Sequence, residues 1–148
     1  MLIAILKKLF LRDLEKLKTE LELYQREQNI WLVDRQITNT AGNLCLHLIG
    51  NLNTYIGTEL GKTGYIRNRP LEFSSGPVPR TDLLKSVDET IQVIASTLDQ
   101  LSDEQMAEEY PQEVTGGKVS IGYFLAHLAT HLSYHLGQIN YHRRLLDN

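Results

Sequence analysis

The segment from Ser120 to Leu146 constrains the fold of this chain more than any other stretch. It contains no proline, and its apolar residues recur at steps of three and four. These residues are Ile121, Leu125, Leu128, Leu132, Leu136 and Ile139. Such spacing is typical of an amphipathic helix that packs one face against a core. The segment therefore predicts a long helix, with Ser120 as its N-cap.

Three further stretches show the same helical period. The first runs from Ile3 to Tyr24, the second from about Thr40 to Leu60, and the third from Thr81 to Leu101. Gly61 follows the second stretch and is a candidate for the residue that ends this helix. Four long helices in 148 residues predict an all-α fold, a four-helix bundle that forms a single domain over residues 1–148.

The connections differ in length and in composition. Gln25 to Ile37 is irregular, and we expect Trp31, Leu32 and Val33 to pack this connection against the bundle. Lys62 to Arg80 contains two glycines and three prolines, which predicts a long crossover connection. A capping-box pattern over residues 102–105 predicts a short helical turn. Residues 110–118, with two adjacent glycines, indicate a loop or an extended hairpin.

Composition narrows the class of protein. The chain has 15 basic and 18 acidic residues, a formal net charge of −3, so it lacks the basic excess of a nucleic-acid-binding protein. No segment approaches the ~20 apolar residues that cross a bilayer. Its one cysteine, Cys45, excludes an internal disulfide and is expected to be a buried structural thiol. We therefore expect a cytoplasmic protein that binds neither nucleic acid nor membrane.

Histidines are concentrated on the last predicted helix. Four of the five lie there, namely His127, His131, His135 and His142. Two imidazoles four residues apart on a helix are close enough to share a metal ion. The spacing leaves both His127/His131 and His131/His135 open as the pair. His142 lies near the end of the helix, where we expect it to be solvated and to complement the helix dipole.

The fifth histidine, His47, belongs to a polar line on the second predicted helix. That line comprises Thr40, Asn43, His47, Asn51 and Thr54. It carries no charge, which is unusual for an exposed face and favours a lined cavity. Since bundles build metal sites from inward side chains on facing helices, His47 is the candidate third ligand beside the pair on the last helix. The alternative is that these histidines make only ordinary hydrogen bonds.

Two sequence segments together resemble the DinB/YfiT-like superfamily. They are NLCLHLIGNLNTYIG around His47 and THLSYHLGQINYHRRLL near the C-terminus. Members are four-helix bundles with one histidine ligand on the second helix and a His-x-x-x-His pair on the last, followed one residue later by Gly-Gln. Here Gly137 and Gln138 fill the last two positions. The resemblance therefore implies a divalent metal, zinc or nickel, bound by His47, His131 and His135, and leaves His127 outside the site.

The resemblance also implies a range of activities. Some relatives activate a low-molecular-weight thiol for transfer to a small electrophile, and others are described as metal-dependent hydrolases. We expect the former, because no acidic residue lies beside the three histidines in the sequence pattern to act as a general base. The rival is a non-enzymatic stress-response bundle with a structural metal. Gln138, Asn51 and Tyr134 are candidates to orient a ligand or line the cavity, and no catalytic residue is assigned.

The expected partners are a small-molecule substrate, with a low-molecular-weight thiol as co-substrate, and a second copy of the chain. Relatives commonly form dimers, and Leu2 and Leu11 fall outside the core stripe of the first helix. A homodimer is therefore expected to form by contact between the outer faces of the bundles.

Overall fold

The computed structural model describes all residues from 1 to 148, and it contains helices but no β-strands. The five α-helices are α1 (Leu2–Leu23), α2 (Ala41–Leu52), α3 (Arg69–Ser74), α4 (Arg80–Asp99) and α5 (Ile121–Leu146). Short 3₁₀ turns cover Glu27–Trp31 and Glu104–Ala107. The four long helices pack as a bundle, in which α1 lies against α4 and α5, while α2 contacts α3, α4 and α5. The predicted all-α bundle is confirmed.

The apolar stripes of the four long helices meet in one core. On α1, Phe10, Leu14 and Leu17 are almost fully buried, and on α5 Leu125 and Leu132 are fully buried. The period of 3.6 residues per turn explains why these positions face the same direction. No helix combines the length and apolar character needed to cross a membrane. Leu2 is exposed as expected, whereas Leu11 is partly buried and packs against the core, so it is not a free surface residue.

The second helix changes its winding before it ends. After Leu52 it continues as a π-helix from Asn53 to Thr58. Asn53 donates side-chain hydrogen bonds to the backbone oxygen of Ile49, at 2.8 Å, and to Oγ1 of Thr90, at 2.9 Å. Gly61 does not take the left-handed conformation expected of a terminating glycine; that conformation belongs to Lys62, with φ of 54°. Gly61 instead lets the chain approach the Thr97 side chain of α4.

The long connection between α2 and α4 contains a helix that the sequence pattern did not predict. Helix α3 begins after Asn68, whose Oδ1 accepts a hydrogen bond from the backbone N–H of Leu71. Pro70 lies in its first turn, a position that proline favours because the missing N–H is not needed there. The Asn68–Pro70 pair was therefore a usable signal. This short helix places Glu72 against α2.

The connection after α1 covers the end of the bundle only in part. Trp31 packs on Gly42, where an added Cβ would lie within 2.6 Å of three ring atoms. Leu32 and Val33 are 39% and 59% exposed, so the expectation that they pack against the bundle is wrong. The contact with the bundle is made by the backbone instead, because the carbonyl oxygen of Leu32 accepts a hydrogen bond from α5.

The donor of that hydrogen bond is His142, which is only 3% exposed. The expectation that His142 is solvated is therefore wrong. Its Nε2–H donates to the backbone oxygen of Leu32 at 2.8 Å, and its Nδ1 accepts from the hydroxyl of Tyr24 at 2.7 Å. Desolvation by burial lowers the pKa of His142, which favours the neutral ring that this pair of hydrogen bonds requires. The irregular connection buries a side chain that the helix alone would expose.

The capping residues predicted from the sequence are confirmed at the starts of α2 and α5 and at the turn after α4. Ser120 caps α5 by accepting from the backbone N–H of Tyr123, and Thr40 caps α2 in the same way. Ser102 and Gln105 form the predicted capping box with reciprocal hydrogen bonds. Residues 109–120 form a hairpin-like loop with two isolated antiparallel bridges. Cys45 is fully buried as predicted, and burial raises the pKa of its thiol to about 12.

Candidate metal centre

Three histidine rings from two helices converge at one point of the bundle. Nε2 of His131 lies 3.2 Å from Nε2 of His47 and 3.1 Å from Nε2 of His135. One nitrogen from each ring can be chosen so that all three lie within 4.8 Å of one another. Because His131 and His135 are one turn apart on α5, their spacing is local, whereas His47 reaches them from α2 across the bundle. These three histidines could bind a metal ion.

In two of the rings, Nδ1, the nitrogen that points away from the convergence point, forms a hydrogen bond. Nδ1 of His47 lies 3.1 Å from Oε1 of Glu72, and Nδ1 of His135 lies 2.6 Å from Oε1 of Gln138. Nη2 of Arg67 also lies 3.3 Å from Nδ1 of His47, but the nearer Glu72 carboxylate can only accept, so Nδ1 of His47 carries the proton. Nδ1 of His135 likewise donates to an amide oxygen, and the Nε2 of each ring carries a lone pair. Such outer hydrogen bonds fix the tautomer and the orientation of metal-binding histidines. Nδ1 of His131 is buried and has no partner.

Glu72 is itself held by an arginine. Arg67 donates from Nε to Oε2 at 2.8 Å and from Nη2 to Oε1 at 3.0 Å, a two-point contact with the carboxylate. This ion pair lies directly over Gly50 of α2, where an added Cβ would be 2.8 Å from Cδ of Glu72 and nearer still to Oε2. The absence of a side chain at Gly50 therefore allows the carboxylate to reach His47.

Burial keeps two of the three rings neutral. Desolvation lowers the pKa of His131 to about 4, assisted by repulsion from His135. Desolvation also lowers the pKa of His47, and this effect is larger than the opposing effect of the hydrogen bond to Glu72. A metal ion binds imidazole in its neutral form, so near neutral pH no proton has to be displaced from these two rings.

The arrangement of lone pairs fits a metal ion. With protons on the Nδ1 atoms of His47 and His135, two Nε2 lone pairs point at Nε2 of His131. A single N–H on His131 can form a good hydrogen bond with only one of them. A cation that accepts three lone pairs satisfies all three nitrogens together, and imidazole sets of this kind suit zinc and other late divalent ions.

A cavity of about 530 Å³ adjoins the histidines and is lined by His47 and His131. Its remaining wall is mostly polar and comprises Asn51, Tyr55, Arg67, Arg69, Gln112, Glu113, Val114, Thr115, Phe124, His127 and Leu128. The volume lies within the range of small-molecule sites. His127 is exposed and stacks on Phe124 with ring centroids 5.7 Å apart, so it belongs to the wall and not to the converging set.

The other residues singled out from the sequence lie around this site in different ways. Gln138 contacts His135 directly, and Asn51 lines the cavity four residues after His47. Tyr134 lies beside His135, with ring centroids 5.4 Å apart, but is 65% exposed. It therefore faces solvent instead of the cavity that the histidines line.

Sequence reasoning missed the acidic residues. Glu72 contacts His47 from 25 positions away, and Glu113 lies in the cavity wall. Glu72 therefore contradicts the expectation that no acidic residue lies beside the three histidines. Glu72 holds the outer nitrogen of His47 and is paired with Arg67, whereas Glu113 has no ion-pair partner and is exposed. Neither lies near the histidines in sequence, so helical spacing could not reveal them.

A comparison with protein families places nearly the whole chain in one family. A family model described as a protein of unknown function (DUF1572) matches residues 6–148. The chain belongs to the DUF1572 family. DUF1572 is part of the DinB/YfiT-like clan, which confirms at clan level the resemblance carried by the histidine motifs. A comparison of this DUF1572 protein with curated proteins finds no match.

Proposed function

We propose that this DUF1572 protein binds one divalent metal ion through His47, His131 and His135 and uses it on a small molecule that enters the adjoining cavity. The observation that carries the proposal is the convergence of these three histidines, two of which, His47 and His131, line the cavity. The group has three members and includes no carboxylate or thiolate as a fourth ligand. A structural zinc site is normally closed by four protein ligands, while a catalytic site keeps a position open.

The protein's own residues prepare the site. Glu72 orients His47, Gln138 orients His135, and burial keeps His47 and His131 in the neutral form that can donate a lone pair. Zinc or nickel suits this ligand set. When bound, such an ion acts as a Lewis acid that favours the ionised form of a thiol or of a water molecule.

Two reactions are compatible with this chemistry. We propose first the activation of a low-molecular-weight thiol for transfer to a small electrophile. This reading needs no general base, because the metal favours loss of the thiol proton. Cys45 cannot supply that thiol, since it is fully buried. Hydrolysis is the second candidate, and Glu113 favours it because an exposed carboxylate in the cavity wall could take a proton from water.

The first experiment measures metal content. Protein purified without an affinity tag and loaded with zinc should contain close to one ion per chain, and His131→Ala should abolish binding. His127→Ala is the matched control on the same helix and should retain the ion, because its ring stacks on Phe124 away from the converging nitrogens. Equal losses in the two variants would contradict the assignment of the site.

The second experiment separates the two reactions. Thiolate ligation to cobalt(II) gives an intense ultraviolet charge-transfer band that water does not, so cobalt-substituted protein should develop this band on titration with 2-mercaptoethanol. The same titration of His47→Ala is the control. An unchanged spectrum together with solvent exchange at the metal would replace thiol transfer by hydrolysis. A metal reached by neither thiol nor water would be structural, which would overturn both enzymatic proposals.

A further inference from the structure

Three buried side-chain atoms have no hydrogen-bond partner within the protein. They are Oδ1 of Asn51, Oγ1 of Thr54 and Nδ1 of His131. A buried polar atom without a partner destabilises the folded chain, so native proteins rarely retain one without a role. Asn51 and His131 line the same cavity, whereas Thr54 does not. The unpartnered atoms of Asn51 and His131 are therefore candidates to pair with each other.

These two atoms are chemically complementary. In the rings of His47 and His135, Nδ1 donates a hydrogen bond to an oxygen, and only Nδ1 of His131 lacks such an acceptor. A neutral imidazole carries one N–H, so a ring that gives the lone pair of Nε2 to a metal ion carries its proton on Nδ1. Nδ1 of His131 then needs an acceptor, and Oδ1 of Asn51 is an acceptor without a donor.

The register of α2 and α5 brings the two side chains into one layer of the bundle. The ring centroids of His47 and His131 lie 5.1 Å apart, and those of Tyr55 and Phe124 lie 5.2 Å apart, so the helices run antiparallel. Side chains on a helix lean towards the N-terminus of that helix. Asn51 therefore leans back towards the level of His47, while His131 leans towards the level of Asn51. Both side chains enter the layer between these two ring pairs.

We propose that Asn51 is the positioning residue of His131, and that its Oδ1 accepts the Nδ1 hydrogen of this ring when Nε2 binds the metal ion. The carboxamide reaches the ring by rotation about χ2, a torsion that is broad in asparagine. Both atoms are shielded from solvent, so water does not compete for the contact. Each of the three histidines then has an oxygen acceptor, from Glu72, Gln138 or Asn51. This inference rests on the proposed function, because it concerns the orientation of the same ligands.

Nuclear magnetic resonance of zinc-loaded protein with isotope-labelled histidine detects the contact directly. The proton of His131 should reside on Nδ1, and hydrogen bonding should shift its resonance downfield. In Asn51→Leu, which keeps a side chain of similar size, this resonance should move upfield or broaden, while those of His47 and His135 stay in place. Asn51→Asp retains an acceptor oxygen and should retain the downfield resonance. A purely structural role of Asn51 would not single out one ring in this way.

Competition for zinc against a chromophoric chelator measures the consequence for the metal site. Asn51→Leu should lower the zinc affinity by about tenfold or more, as loss of such a hydrogen bond does for metal-binding histidines. Thr54→Val is the matched control, because it also removes a buried atom without a partner but lies outside the cavity wall. Its zinc affinity should equal that of the wild type.

Several results would overturn the proposal. They are an unmoved His131 resonance or an unchanged zinc affinity in Asn51→Leu, loss of the downfield resonance in Asn51→Asp, and a proton on Nε2 of His131 in the zinc-loaded wild type. An equal loss of affinity in Thr54→Val would also overturn it. If Asn51→Leu does not fold, Asn51→Ala carries the same test. With one zinc ion per wild-type chain, these results would reject this inference alone, whereas a wild type that binds no zinc would overturn the proposed function as well.

Discussion

Replacement of Gly50 by alanine should weaken metal binding, although the added methyl group would meet Glu72 and Arg67 and none of the three histidines. A Cβ at this position would lie 2.8 Å from Cδ of Glu72 and 3.2 Å from Nε of Arg67. Both distances are shorter than ordinary van der Waals contacts, so the carboxylate must move away from Nδ1 of His47. Loss of such an outer hydrogen bond typically lowers metal affinity by about 10–100-fold, which corresponds to about 1.4–2.8 kcal/mol.

The assay is competition for zinc against a chromophoric chelator, with Gly137→Ala as the matched control. Gly137 is also a helical glycine, but a Cβ there would meet no atom within 4 Å. Alanine is the better helix former, so Gly137→Ala should gain about 0.5–1 kcal/mol in the free energy of unfolding and keep the wild-type zinc affinity. The two variants share the same chemical change and differ only in what the added methyl group meets.

A double-mutant cycle tests whether Gly50→Ala lowers zinc affinity through Glu72. In a Glu72→Ala background the carboxylate is absent, so Gly50→Ala should cause little further loss of zinc affinity. Additive losses would mean that residue 50 acts on the site by another path. An unchanged zinc affinity in the single Gly50→Ala variant would refute the reasoning that Glu72 orients His47 for a metal ion.

Two further predictions concern acid and assembly. The folded state holds His142 neutral with a lowered pKa, while the unfolded chain takes up a proton at this residue below about pH 6.5. As the pH falls below that value, His142 should therefore lower the free energy of unfolding by up to about 1.4 kcal/mol per pH unit. Urea titrations from pH 7 to 5 should show a shallower loss in His142→Gln, and equal slopes would contradict this assignment. The homodimer remains a prediction, and light scattering at micromolar concentration should give twice the mass of the 16.9 kDa chain; a mass near one chain would contradict it.

The sequence by itself determined the features that depend on neighbours along one helix. The apolar stripes, the caps at Thr40 and Ser120, and the separation of His131 from His135 all follow from 3.6 residues per turn. The same period could not choose between His127 and His135 as the partner of His131, because both lie one turn away. That choice came from the resemblance, and the structure brings His135 and His47 to within reach of His131.

Only the tertiary structure decided which groups from distant positions meet. Glu72 reaches His47 because an unpredicted short helix crosses α2 where Gly50 has no side chain. His142 is buried because the connection after α1 supplies the Leu32 carbonyl. Helical spacing relates residues three and four apart, whereas these contacts span 25 and 110 positions and depend on where packing leaves room. The three histidines that converge were therefore readable in the sequence, and the groups that orient them were not.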